Sequence, residues 1–114
     1  MSLAPPPNPA IAELALALGD ESARELVDMY LASFEAMLRD LKSNDFNQRK
    51  RAAHSLKSSS RIVGATALSN RMADLEARLT NSRGDITPED LTAAIADFDQ
   101  IAVPLRAYSH KPGA

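Results

Sequence analysis

His54 stands in the run Ala53-His54-Ser55-Leu56-Lys57-Ser58-Ser59-Ser60. On a helix, where each residue advances by roughly 100°, its imidazole points nearly opposite Leu56, while Asn47, Lys50, Arg51, Lys57, Ser58 and Arg61 fall on its own side. That spacing predicts a ring facing water inside a basic stripe. An imidazole ordinarily titrates near neutrality and serves as base, metal ligand or nucleophile. General acid–base work asks for a pocket and a partner carboxylate. No Asp or Glu lies within one turn of His54 on its own segment, which leaves only a carboxylate from elsewhere. With His110 as the one other histidine and no cysteine, neither a metal site nor a thiol nucleophile is expected.

Phosphoryl acceptance asks for something different: an exposed nitrogen lone pair, positive charge for the phosphoryl oxygens, and room for a visiting active site. The stripe offers all three. Lys57, three residues on, projects beside His54 and is the first choice to stabilise arriving charge, with Lys50, Arg51 and Arg61 extending the positive potential above and below. Each of these residues alone has a plainer reading, since most exposed histidines and lysines are merely solvated. Ser58, Ser59 and Ser60 read as a means of keeping the helix thin against a neighbour.

Helices must position this stripe. The chain of 114 residues supports one modest core. Its apolar mass is mainly Ala and Leu, with only 4% aromatic residues, which favours an all-α fold. A short apolar run at 11–18 stops at Gly19. A long amphipathic segment at 21–42, capped by Asp20 or Ser22, follows with Leu26, Val27, Tyr30, Leu31, Phe34, Met37, Leu38 and Leu41 inward. Asp45 and Gln48 form a capping-box pattern opening the His54 segment, whose inward face is Phe46, Ala53, Leu56, Ser60 and Val63 before Gly64 turns it. A fourth segment at 66–80 buries Leu68, Met72, Leu75 and Leu79.

The last segment opens with Thr87 as N-cap, Pro88 in the first helical position and Asp90 reaching back, and buries Leu91, Ala94, Ile95, Phe98, Ile101 and Ala102. Pro104 is expected to kink or end it. Short connections favour an antiparallel up-down-up-down four-helix bundle with a short extra N-terminal helix. Residues 1–9, rich in proline, read as a flexible segment, 10–109 as the domain and 110–114, with His110, as an uninvolved tail. Met29, Met37 and Met72 read as packing residues, although Met29, Ala32 or Ala36 would also serve as a dry centre for a partner interface. Arg24, Asp28, Arg71 and Asp74 read as outward-facing helix pairs.

The motif around His54, followed by Val63-Gly64-Ala65, resembles the signature of histidine-containing phosphotransfer (HPt) domains of bacterial phosphorelays, written H-x-x-K-G with small residues and a Gly-Ala turn. Leu68 and the Leu75-Glu76 pair are similar too, and the five-segment pattern spans nearly the whole chain. The resemblance implies a four-helix bundle with His54 as phosphoacceptor midway along one helix and Lys57 as its electrostatic helper. It implies no cofactor on this chain, since Mg²⁺ and the aspartate chemistry belong to the partner. The implied partners are a response-regulator receiver domain and a hybrid sensor histidine kinase. Ser58 departs from the pattern, standing where glycine is common, and a hydroxyl four residues beyond His54 is expected to press on or hydrogen-bond the ring.

A phosphoryl carrier rather than an enzyme is therefore expected, monomeric and cytoplasmic, with no membrane contact because no apolar run approaches the roughly 18–20 residues a span requires. The formal charge of −2 and the absence of aromatics on the basic stripe argue against nucleic acid. The competing reading is a non-catalytic adaptor or inhibitor that binds a signalling partner through the same basic face.

Overall fold

A computed structural model describes residues 4–109, and every regular element among them is helical. The elements are α1 (Pro9–Leu18), α2 (Asp20–Leu41), α3 (Phe46–Ile62), α4 (Thr66–Thr80) and α5 (Pro88–Ser109). Contacts between α2 and α3, α3 and α4, α4 and α5, and α5 and α2 close a ring of four helices, while α1 lies against α2 and α3. None of the described helices is long and apolar enough to cross a membrane. His110 and the rest of the tail lie outside the described residues.

Local chemistry sets most of the boundaries. Asn8 caps α1, its side-chain oxygen accepting from Ile11 N at 2.9 Å, and Pro9 takes the first helical position, where the missing N–H costs nothing. Thr87 and Asp90 cap α5 reciprocally: Asp90 N donates to Thr87 Oγ1 at 3.1 Å and Thr87 N to Asp90 Oδ2 at 2.8 Å. At α3 only half of the expected box forms. Asp45 Oδ1 accepts from Asn47 N and Gln48 N, but the Gln48 amide turns away to Asp40 and Ser43. Neither Asp20 nor Ser22 caps α2. Its N-cap is Gly19 at φ +89°, and Asp20 is engaged instead with Arg24 and the Tyr108 hydroxyl.

The core departs from the expected faces at a few positions. Ala52 joins Ala53, Leu56, Ser60 and Val63 inside, whereas Phe46, at the first turn of α3, is 44% exposed with the Arg49 guanidinium over its ring. Met29 and Ile95 lie on the outer side of their helices rather than among the packing residues. Arg24 is not an outward-facing pair: it is buried between α2 and α5, bonded to Asp20, to the Tyr108 carbonyl and to the Ala4 carbonyl, with Tyr108 under its guanidinium. α5 runs on through Pro104, because Leu105 and Tyr108 beyond it are fully buried and hold the last two turns in place.

Candidate functional site

α3 holds His54 at its centre, and four features fix that helix. The Asp45 cap satisfies its first free N–H groups. Small inward residues let α4 come close, so that the Ser69 hydroxyl donates to the Lys57 carbonyl at 2.9 Å. On the other flank the buried Ser60 hydroxyl bonds the Tyr30 phenol at 2.8 Å. The helix ends in a Schellman arrangement, with Ala65 N bonded to Ser60 O at 2.8 Å and Gly64 N to Arg61 O at 3.2 Å. Gly64 sits at φ +78°, and a Cβ there would press into the Asn8 carboxamide, whose Nδ2 bonds Val63 O at 3.0 Å.

His54 is 60% exposed in its side chain, facing solvent as its spacing predicts. The residue the sequence did not assign to the site is Glu76 of α4. Its Oε2 lies 2.7 Å from His54 Nδ1 and its Oε1 is 2.6 Å from Lys57 Nζ, so one carboxylate ties both residues of the motif. This is the carboxylate neighbour that α3 itself lacks. Its signal in the sequence was its place next to the buried Leu75, at the edge of the face that α4 turns to α3.

The Lys57 hydrogen bond holds the Glu76 carboxyl below its ordinary value; burial opposes this, and the His54 hydrogen bond adds to it. Glu76 is therefore an anion at neutral pH and can only accept. With a neutral imidazole, the hydrogen then resides on Nδ1, the Nε2 lone pair is left free, and the ring is fixed in orientation. Lys57 reaches the site as expected, with its ammonium group on Glu76 and its side chain 21% exposed.

The remaining predicted residues divide. Lys50 and Arg51 share with His54 a surface recess of about 480 Å³, completed by Asn47, Ser55 and Glu76. Arg61 and Ser58 are exposed but do not line it, and no hydrogen bond joins Ser58 to His54. A second recess of about 240 Å³, almost wholly apolar, opens between α2 and α3 where Met29, Leu26 and Ile62 meet. Met29 belongs there, while Ala32 and Ala36 are exposed and do not line it.

Among the described residues, the bundle presents one histidine, exposed and paired with a carboxylate, on a helix rich in Lys and Arg. The chain matches the Hpt domain family over residues 11–103, and it belongs to that family. Domains of this family are phosphocarrier modules of two-component signalling that interact with receiver domains and kinases. Comparison with curated proteins and with solved structures returns no match.

Proposed function

We propose that this chain relays a phosphoryl group between receiver-domain aspartates and its own His54. The observation that carries the reading is the pairing of Nδ1 with Glu76, which leaves Nε2 as an exposed nucleophile of fixed direction. In the forward step the Nε2 lone pair attacks phosphorus. The N–P bond forms as the P–O bond of the phospho-aspartate breaks, and the electron pair leaves with the aspartate carboxylate. The Nδ1 hydrogen stays in place, so no proton has to move. Glu76 then faces the positive charge that phosphorylation leaves on the ring.

This chain needs no cofactor of its own in that scheme; Mg²⁺ and the acceptor aspartate are the receiver's. Lys50, Arg51 and Arg61 favour approach of an acidic active-site rim, and the Met29–Ile62 recess offers an apolar contact about two turns from His54. The short connections between helices support an up-down-up-down arrangement that holds the nucleophile rigid through docking. Mixing the protein with a phosphorylated receiver tests the reading. Label stable to base and labile to acid is expected on the wild type and absent from His54→Gln. Receiver binding without any transfer would instead make this chain an adaptor.

A further inference from the structure

We infer that Ser69 of α4 is a positioning residue for phosphotransfer, a role that deepens the phosphocarrier reading and rests on it. Its hydroxyl sets the register of α4 against α3 at which the Glu76 carboxylate reaches both His54 and Lys57. Among the described residues, three hydrogen bonds join α3 to α4. Two are those of Glu76 itself, with His54 Nδ1 at 2.7 Å and Lys57 Nζ at 2.6 Å. In the third, the Ser69 hydroxyl donates to the Lys57 carbonyl at 2.9 Å, so its acceptor is helix backbone rather than a movable side chain.

Ser69 and Glu76 stand two turns apart on α4 and share the face turned to α3. Lys57 is therefore gripped at both ends from one helix, its carbonyl by Ser69 and its ammonium group by Glu76. Apart from Ser60, whose hydroxyl goes to Tyr30 of α2, the other buried residues of α3 and α4 are apolar. Apolar burial has no direction and tolerates a small slide of one helix along the other. A hydrogen bond to a backbone carbonyl does not, because it holds its two atoms within a narrow range of distance. A carboxylate shared between donors at 2.6 and 2.7 Å cannot follow such a slide without loosening one of them. At 3% exposure Ser69 also lies where an apolar residue is the ordinary choice, and a buried hydroxyl costs stability unless it is bonded. Its bond goes to the residue that Glu76 also holds.

The test first reads the site without a partner. ¹⁵N spectra of the neutral imidazole and a ¹³C titration of the Glu76 carboxyl are recorded for the wild type and Ser69→Ala. Alanine favours helix, so this variant keeps the bundle. Ser60→Ala, which loses a buried bond on the α2 flank, serves as the comparison. In Ser69→Ala the Nδ1–H tautomer is expected to lose its dominance. The Glu76 midpoint should rise by about half a pH unit as its bond from Lys57 loosens. Ser60→Ala should move neither. Transfer from a phosphorylated receiver should slow about threefold in Ser69→Ala. In a Glu76→Ala background the same substitution should slow it no further, because Ser69 acts through Glu76. Unchanged spectra in Ser69→Ala overturn the inference. So does an equal change in Ser60→Ala, which would mean a general loosening of α3, or an additive loss in the double variant. Failure of the phosphocarrier reading looks different: the wild type takes no label from the receiver, although the tautomer and the Glu76 midpoint still respond to Ser69→Ala.

Discussion

Glu76 and His54 lie 22 residues apart on different helices, and 2.7 Å separates the carboxylate oxygen from the ring nitrogen. A charge-assisted hydrogen bond of this kind contributes about 1.5–3 kcal/mol when shielded. Because the ring is 60% exposed, the lower end applies. Glu76→Ala is therefore expected to slow phosphotransfer from a phosphorylated receiver about tenfold, whereas Glu76→Gln, which keeps an acceptor for Nδ1–H, loses less. ¹⁵N spectra of the imidazole give an independent check: the wild type shows the Nδ1–H tautomer, and Glu76→Ala a mixture weighted toward Nε2–H. Equal rates in all three proteins would remove Glu76 from the site.

The exposure of His54 was legible in the sequence because periodicity within one helix determines which side a residue occupies. Glu76 was not, since periodicity says nothing of how one helix is rotated and slid against the next. The same limit explains Arg24, whose position on α2 looked outward until the end of α5 and the Ala4 carbonyl packed over it. That α5 does not end at Pro104 has another cause. A proline inside a helix costs about 3 kcal/mol or more, and full burial of Leu105 and Tyr108 offsets it. Caps made within a few residues, such as Thr87 with Asp90, read correctly because both partners are local.

Ser58 occupies a position where glycine is common in the family, yet it makes no hydrogen bond to His54 and does not line the recess beside it. Ser58→Gly is expected to leave the transfer rate unchanged within about twofold. Its effect should be on the helix, where an exposed interior glycine costs about 0.5 kcal/mol through backbone entropy. Stopped-flow transfer kinetics beside a urea melt separate the two. A rate change much beyond twofold would show that the hydroxyl acts on the ring.

Two turns of similar form differ in the residue at their left-handed position. Gly64 ends α3 at φ +78°, but Ser82 does the same duty after α4 at φ +55°, with Arg83 N bonded to Arg78 O at 2.9 Å. A side chain in that region costs about 1 kcal/mol. Ser82→Gly is thus expected to stabilise the protein by about 0.5–1 kcal/mol, raising the melting temperature by a few degrees. Gly64→Ala should do the reverse and more strongly, because the added Cβ also displaces the Asn8 side chain. Thermal melts of the two variants measure both signs.

Asn8 joins two parts of the chain through one carboxamide, capping α1 with its oxygen and bonding the α3–α4 turn with its nitrogen. Asn8→Ala removes both bonds and leaves the Val63 carbonyl without that donor, a loss of about 1–2 kcal/mol. Asn8→Asp retains the cap but not the donor, and should recover about half. Denaturant midpoints for the pair divide the two bonds, and a full recovery by Asp would mean that the turn contact contributes nothing.

Stability against pH follows from which groups are shifted and in which direction. Hydrogen bonds from Arg24 to Asp20 and from Lys57 to Glu76 hold those carboxyls below their ordinary values; at Asp90 burial pushes up, but the bonds from Arg78 and Thr87 outweigh it. Because the unfolded chain binds these protons at higher pH than the folded one, their contribution is fully present above the ordinary carboxylate range. It is lost as pH falls through the lowered folded values. Burial raises the Tyr30 phenol despite its Ser60 hydrogen bond, so that contribution is present below the ordinary tyrosine value near 10.0 and lost as pH rises past it. Urea midpoints measured in acid should therefore drop only below about pH 5 on account of these carboxyls. Glu76→Gln should show a smaller acid drop than the wild type, and an equal drop would mean that the clamp on His54 and Lys57 adds nothing to folding.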